Sequence, residues 1–141
     1  MEGKIKLEAI LQWLSDKKAD NISVYDVHRK TDYTDVIVVC EGSADVHNKA
    51  IAAHVVDMAK ENHLHVLSKE GVDSGQWILI DIGDLIVHIF LPQTREYYKI
   101  DELFDKVRSR ITDEELLEQA TISLSSSTKT LQTPTPDKEG K

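Results

Sequence analysis

A chain of 141 residues, 40% hydrophobic and 30% charged, has the size and composition of one globular domain with a real core. Its net charge of -8 excludes a general nucleic-acid binder, whose affinity would rest on a basic surface. No apolar run reaches the length of a membrane span, charges interrupt MEGKIKLEAI where a signal core would lie, and the lone Cys40 excludes a disulfide within the chain.

In chain order, residues 4–15 read as a helix with Leu7, Ile10, Leu11 and Leu14 on one stripe and Trp13 off it, either exposed or covering a neighbour. Residues 22–28, ISVYDVH, read as a strand. Residues 34–40, TDVIVVC, read as a second, central strand buried on both faces, with Cys40 a buried thiol. Glu41-Gly42 breaks it. Ser43 is placed to cap a helix over 44–61, whose core stripe is Ile51, Val55, Met58 and Ala59. Residues 64–68, LHVLS, read as a short strand and 69–75 as a loop. Pro92 to Thr94 turns the chain into a helix over 96–109, with Tyr97, Ile100, Leu103, Phe104 and Val107 on its apolar side. Residues 112–119 either extend that helix or form a short further one. The Ser/Thr-rich remainder, 120–141, cannot bury enough apolar surface to offset its ordering entropy and reads as a disordered tail to a domain over 1–119. The order α-β-β-α-β-β-β-α predicts a mixed five-stranded sheet flanked by helices. The central helix allows a parallel pairing, and the hairpin forces an antiparallel one.

That hairpin is the most informative segment. Gly83-Asp84 is a two-residue turn with glycine first. Pairing outward from it sets Ile82 opposite Leu85 and ends with Trp77 opposite Phe90. Alternation then puts Ile78, Ile80, Ile82, Leu85, Val87 and Ile89 on one wholly aliphatic face, which must be core. Trp77, Leu79, Asp81, Ile86, His88 and Phe90 form the other, apolar face, which also holds a carboxylate and an imidazole. Two readings of this face compete: a helix packs over it, or it is open in the monomer and covered by a partner. Residues 71–104 carry six acidic side chains against two basic ones, a balance suited to a basic protein surface with apolar spots.

Four blocks, KKADNISVYDV, DVIVVCEGSADVHNKAIA, GQWILIDIGDLIVHIF and REYYKIDELF, occur in the order expected of the ribosomal silencing factors, or Iojap-like family, which this chain resembles over about residues 5–108. The sequence departs from the family pattern at Asn21, where Asp is usual, and at Phe104, where Trp is usual. The second change drops an indole donor. The resemblance implies a fold related to nucleotidyltransferases. It implies a cytoplasmic, non-enzymatic repressor without a cofactor. Such a protein binds the large ribosomal subunit at its ribosomal protein fourteen, sterically blocks joining of the small subunit, and lowers translation when nutrients are scarce. It also implies a homodimer, and no sequence-specific binding of nucleic acid.

The residues placed for that contact are Trp77, Asp81, Asp84, His88, Phe90, Pro92, Arg95 and Tyr98. Trp77 is either a contact anchor or a cross-strand partner of Phe90 under a helix. Asp81 and Asp84 either pair with basic groups of the partner or serve the turn, a role more natural for Asp84 than for Asp81 inside a strand. His88 is either a contact or a hydrogen-bonded structural residue. Tyr98 is the better contact of the tyrosine pair, since Tyr97 shares a stripe with Ile100 and Phe104. Pro92 rigidifies the loop, and Arg95 opens the last helix. The alternative function is a nucleotidyltransferase-like enzyme starting from Gly42-Ser43. The next strand, LHVLS, lacks the acidic residues that chemistry would need, and His63 and His65 have no third ligand nearby for zinc.

Overall fold

The computed structural model describes residues 3–27 and 34–109. Helix α1 (Gly3–Asp16) leads into β1 (Asp20–Asp26) and β2 (Val36–Glu41), followed by α2 (Asp45–Glu61) and β3 (Ser68–Glu70). The hairpin β4 (Trp77–Asp81) and β5 (Leu85–Phe90) precedes α3 (Pro92–Tyr97) and α4 (Ile100–Ser109). The expected tail at 120–141, its boundary at 119, the helix at 112–119 and the side chain of Val107 lie outside the described residues.

The sheet has five strands in the order β1-β2-β5-β4-β3. It is mixed, as expected: β2 runs parallel to β5, and the other pairs are antiparallel. The α2 crossover lets β2 and β5 run the same way. The hairpin register is the one read from the sequence, from Asp81 opposite Ile86 to Trp77 opposite Phe90. Gly83, at a φ of +93°, makes the turn, and the Ile82 N–H donates to the Leu85 carbonyl at 2.9 Å.

The aliphatic hairpin face is the core. Ile78, Ile80, Ile82, Leu85, Val87 and Ile89 are buried with Val38 and Cys40 of β2 against Ile51, Ala52, Val55 and Ala59 of α2. Burial pushes the Cys40 thiol up to about 12. Ile10 and Leu14 of α1 join the same cluster, and so does Trp13, only 5% exposed. α1 lies beside α2 as well as over the sheet, so its apolar arc is wider than one stripe.

Three local expectations need correction. The third strand is Ser68–Glu70 rather than 64–68, because pairing with Leu79–Asp81 selects its residues. Leu64 and Val66 pack against the core without joining the ladder. Ser43 does not cap α2: the N-cap is Ala44, without a side-chain bond, while the Ser43 N–H donates to His47 Nδ1 at 2.9 Å. The last helix is two helices, because Lys99 takes a φ of +51° between them. Tyr97 and Ile100 therefore share no stripe, and Tyr97 is 78% exposed. Leu103, also expected in the core, is half exposed.

Candidate functional site

The second hairpin face is divided. β1, β2 and β5 contribute Tyr25, Ile37, Val39 and Phe90 to a second apolar cluster, closed by Ile100 and Phe104 of α4. The β4 side stays partly open: Trp77, Leu79 and Asp81 are each half-buried. Both readings of this face are thus partly right, a helix over one half and an open surface on the other.

Across the boundary runs a chain of rings. Tyr25 meets Phe104 at 5.5 Å between centroids, and Phe104 meets His88 at 5.5 Å. His88 stacks on Phe90 at 6.0 Å and 12° between planes. Trp77 lies over Phe90 at 4.8 Å and against Tyr98 at 5.5 Å, and Tyr97 meets Tyr98 edge-on at 4.9 Å. The rings pass from buried at Tyr25 to exposed at Tyr97 and Tyr98. Offset and tilted geometries of this kind suit the quadrupoles of aromatic rings.

Two of the expected contact residues are buried. Phe90 is 0% exposed and His88 7% exposed, so neither offers its side chain to a partner. The period-two pattern put them on the right face, but α4 covers that half. The Trp77 indole N–H donates to His88 Nδ1 at 3.0 Å, which places the imidazole proton on Nε2. Burial lowers the His88 pKa to about 4, so the ring is neutral near pH 7.

Arg95 is also buried, at 7% exposure, and it is a hub rather than a contact. Its Nε and Nη2 form a fork on the Asp101 carboxylate at 2.8 and 2.9 Å. Nη1 donates to the Asn21 carbonyl at 2.7 Å and to Glu41 Oε2 at 3.1 Å, and Nη2 donates to Ser23 Oγ at 3.1 Å. Tyr25 donates its hydroxyl to Asp101. Burial opposes the guanidinium charge, but the hydrogen bonds it donates to Asp101 and the charges of Asp101 and Glu41 outweigh it, so the Arg95 pKa is raised. Asn21 takes a φ of +49°, a conformation Asn tolerates, and its amide donates to Glu41 Oε1 at 3.0 Å. The hub ties α3 and α4 to β1 and β2. Sequence reading missed it because its members lie far apart in the chain, and Glu41 read only as the residue that ends a strand.

The turn role expected of Asp84 falls to Asp81. Asp81 serves the turn, its Oδ1 accepting the Gly83 N–H at 2.8 Å. Asp84 pairs with Lys6 of α1 at 2.6 Å, its side chain still about half exposed. Pro92 opens α3 on the surface, where its missing N–H costs nothing. The residues that offer surface are therefore Trp77, Asp81, Asp84, Pro92 and Tyr98.

Gly42 packs on Asn48, where an added Cβ would come within 2.1 Å of Oδ1. Asn48 donates to the Gly75 carbonyl at 2.7 Å. Glu70 does lie on the strand that follows α2, contrary to the expectation of no acidic residue there, but β3 is at the far edge of the sheet from β2. Among the described residues there is no group of three or more His, Cys, Asp or Glu side chains arranged to hold a metal ion. His63 and His65 are exposed and lie outside any strand. No helix among the described residues is long and apolar enough to cross a membrane.

The family described as "Ribosomal silencing factor during starvation" matches residues 2–139. A Bacillus subtilis ribosomal silencing factor is 36% identical over 104 residues, spanning 74% of this chain and 88% of that protein. A mouse protein named for mitochondrial assembly of the ribosomal large subunit is 31% identical over 139 residues, covering 92% of this chain and 60% of its own length. The crystal structure of a Chromobacterium violaceum protein superposes with a TM-score of 0.72 at 32% identity, covering 74% of this chain and 88% of that one.

Proposed function

The chain belongs to the family of ribosomal silencing factors, and on that premise we propose that it binds the large ribosomal subunit at ribosomal protein fourteen and sterically blocks joining of the small subunit. The protein then acts in the cytoplasm as a repressor of translation under nutrient limitation, with no catalytic step. In this reading the kinship of the fold to nucleotidyltransferases carries no chemistry.

One observation carries the proposal. Trp77 and Tyr98 stand ring against ring at 5.5 Å, at the edge of the sheet half that α4 leaves open. Tyr98 is 55% exposed, next to Tyr97. Solvent-facing aromatics on a rigid sheet and helix are what a desolvated contact centre is built from, because they bring large area at little entropic cost. Asp81, on the same face of β4 at the turn end of the hairpin, adds negative charge toward a basic ribosomal protein.

The test is a subunit-joining assay with cosedimentation on isolated large subunits. Tyr98→Ala is expected to melt close to the parent, and Trp77→Ala, which gives up its packing on Phe90 and its bond to His88, to melt lower but remain folded; each is expected to lose on the order of 2 kcal/mol of binding. Variants that fold normally and still block joining would refute this face as the docking site.

A further inference from the structure

We infer that His88 is a positioning residue for the docking face: by accepting the Trp77 indole N–H at Nδ1 it fixes the plane in which that ring meets a partner. The inference rests on the docking face proposed above and assigns His88 a role other than direct contact.

Trp77 is half-buried and lies on the strand that borders the open half of the sheet. Its indole carries one donor and no acceptor. Phe90, directly across the hairpin, supports one side of the ring at 4.8 Å, and Tyr98 leans on it at 5.5 Å. These contacts are apolar, and tilted rings slide over one another at little cost. A directional bond removes that freedom. His88 is the diagonal cross-strand neighbour, since it pairs with Leu79 while Trp77 pairs with Phe90. Diagonal neighbours are within reach of aromatic side chains.

The imidazole is itself held. It stacks on Phe90 at 12° and meets Phe104 of α4 at 5.5 Å. Rotating it away from Trp77 would displace one of those buried rings. An aliphatic side chain would fill the same space without burying a polar ring. What the imidazole adds is an acceptor aimed at the indole. Burial keeps it neutral, so Nδ1 stays free to accept. Orientation thus passes from α4 through Phe104 and His88 to the exposed edge of Trp77.

The experiment is a double-mutant cycle on the full chain, read by affinity for isolated large subunits and by the Trp77 indole N–H resonance. His88→Leu keeps the bulk and removes the acceptor. Trp77→Phe keeps a ring and removes the donor. Each is expected to weaken binding by about tenfold, the worth of one oriented hydrogen bond, and the double variant no further than either alone. His88→Asn, whose amide oxygen can stand near the position of Nδ1, is expected to recover part of the affinity. In His88→Leu the indole N–H is expected to move upfield and to exchange faster with solvent, while the melting temperature holds or rises.

Trp77→Phe that binds like the parent overturns the inference, whatever happens to the His88 variants. So does a double variant whose losses simply add. If His88→Leu fails to fold, Trp77→Phe beside Trp77→Ala still decides. Loss in both supports positioning through the hydrogen bond. Loss in Trp77→Ala alone leaves the docking face standing and removes His88 from it. Normal binding by Trp77→Ala would sink the docking reading itself.

Discussion

His88 makes the stability of this protein depend on pH in a way that one substitution should abolish. An accessible histidine titrates near 6.5, and burial among rings lowers His88 to about 4. As pH falls through 6.5 the unfolded chain takes up a proton that the folded chain refuses. Stability contributed by the neutral folded imidazole is therefore complete above pH 6.5 and declines as pH falls toward 4. Over that span of about 2.5 units, at about 1.4 kcal/mol per unit, the loss comes to roughly 3 kcal/mol at pH 4. Desolvation is the cause of the shift, so added salt should change it little. Other groups also titrate in this range, so the comparison must be with His88→Leu under identical conditions. Urea denaturation of both proteins at several pH values from 7.5 to 4 gives the difference in unfolding free energy. That difference is expected to move by about 3 kcal/mol in favour of the variant as pH falls. A difference constant to within about 0.5 kcal/mol would refute the reasoning, because it would mean that His88 is as well solvated folded as unfolded.

Arg95→Met should remove the guanidinium that Glu41 and Asp101 share and cost roughly 2–4 kcal/mol, less than for a fully dry pair because Asp101 is 39% exposed; thermal melts of Arg95→Met and of the Arg95→Met/Asp101→Asn pair would measure it, and additive losses would argue against a shared network. Gly71→Ala should cost about 2 kcal/mol or more, because at a φ of +80° its Cβ would stand 2.0 Å from the Trp77 carbonyl, whereas Gly83→Ala, with no atom within 4 Å, should cost only about 1 kcal/mol of left-handed strain. Equal losses at the two glycines would show that the Trp77 backbone yields easily.

The hairpin was legible in the sequence because two local signals agree on it. Gly83-Asp84 sets a two-residue turn, and alternation on either side sorts the side chains by face. With a period of two, a slip of one residue between the strands would have turned the three aliphatic side chains of one strand to the wrong side. The mixed sheet followed from the position of α2, and the burial of β2 from its unbroken apolar run. The resemblance in four blocks pointed to the family to which the chain belongs. Local patterns thus determined which residues form the sheet, in what register, and which hairpin face is core.

What they left open depends on contacts made across the chain. Whether the second hairpin face is covered was decided by α4, which closes over Phe90 and His88 and stops short of Trp77. The break at Lys99 turned Tyr97 outward, although its spacing from Ile100 and Phe104 fits one continuous helix. Helical periodicity identifies a stripe only while the helix is unbroken. Trp13 was drawn into the core because α1 has neighbours on two sides. Asp84 found Lys6, 78 residues away, while Asp81 bent back to its own turn. Arg95 gathered partners from β1, β2 and α4 into one buried site. A charge shows in the sequence as a residue type, but its role is set by which opposite charge the fold brings within about 3 Å, and that distance exists only once the layers have packed.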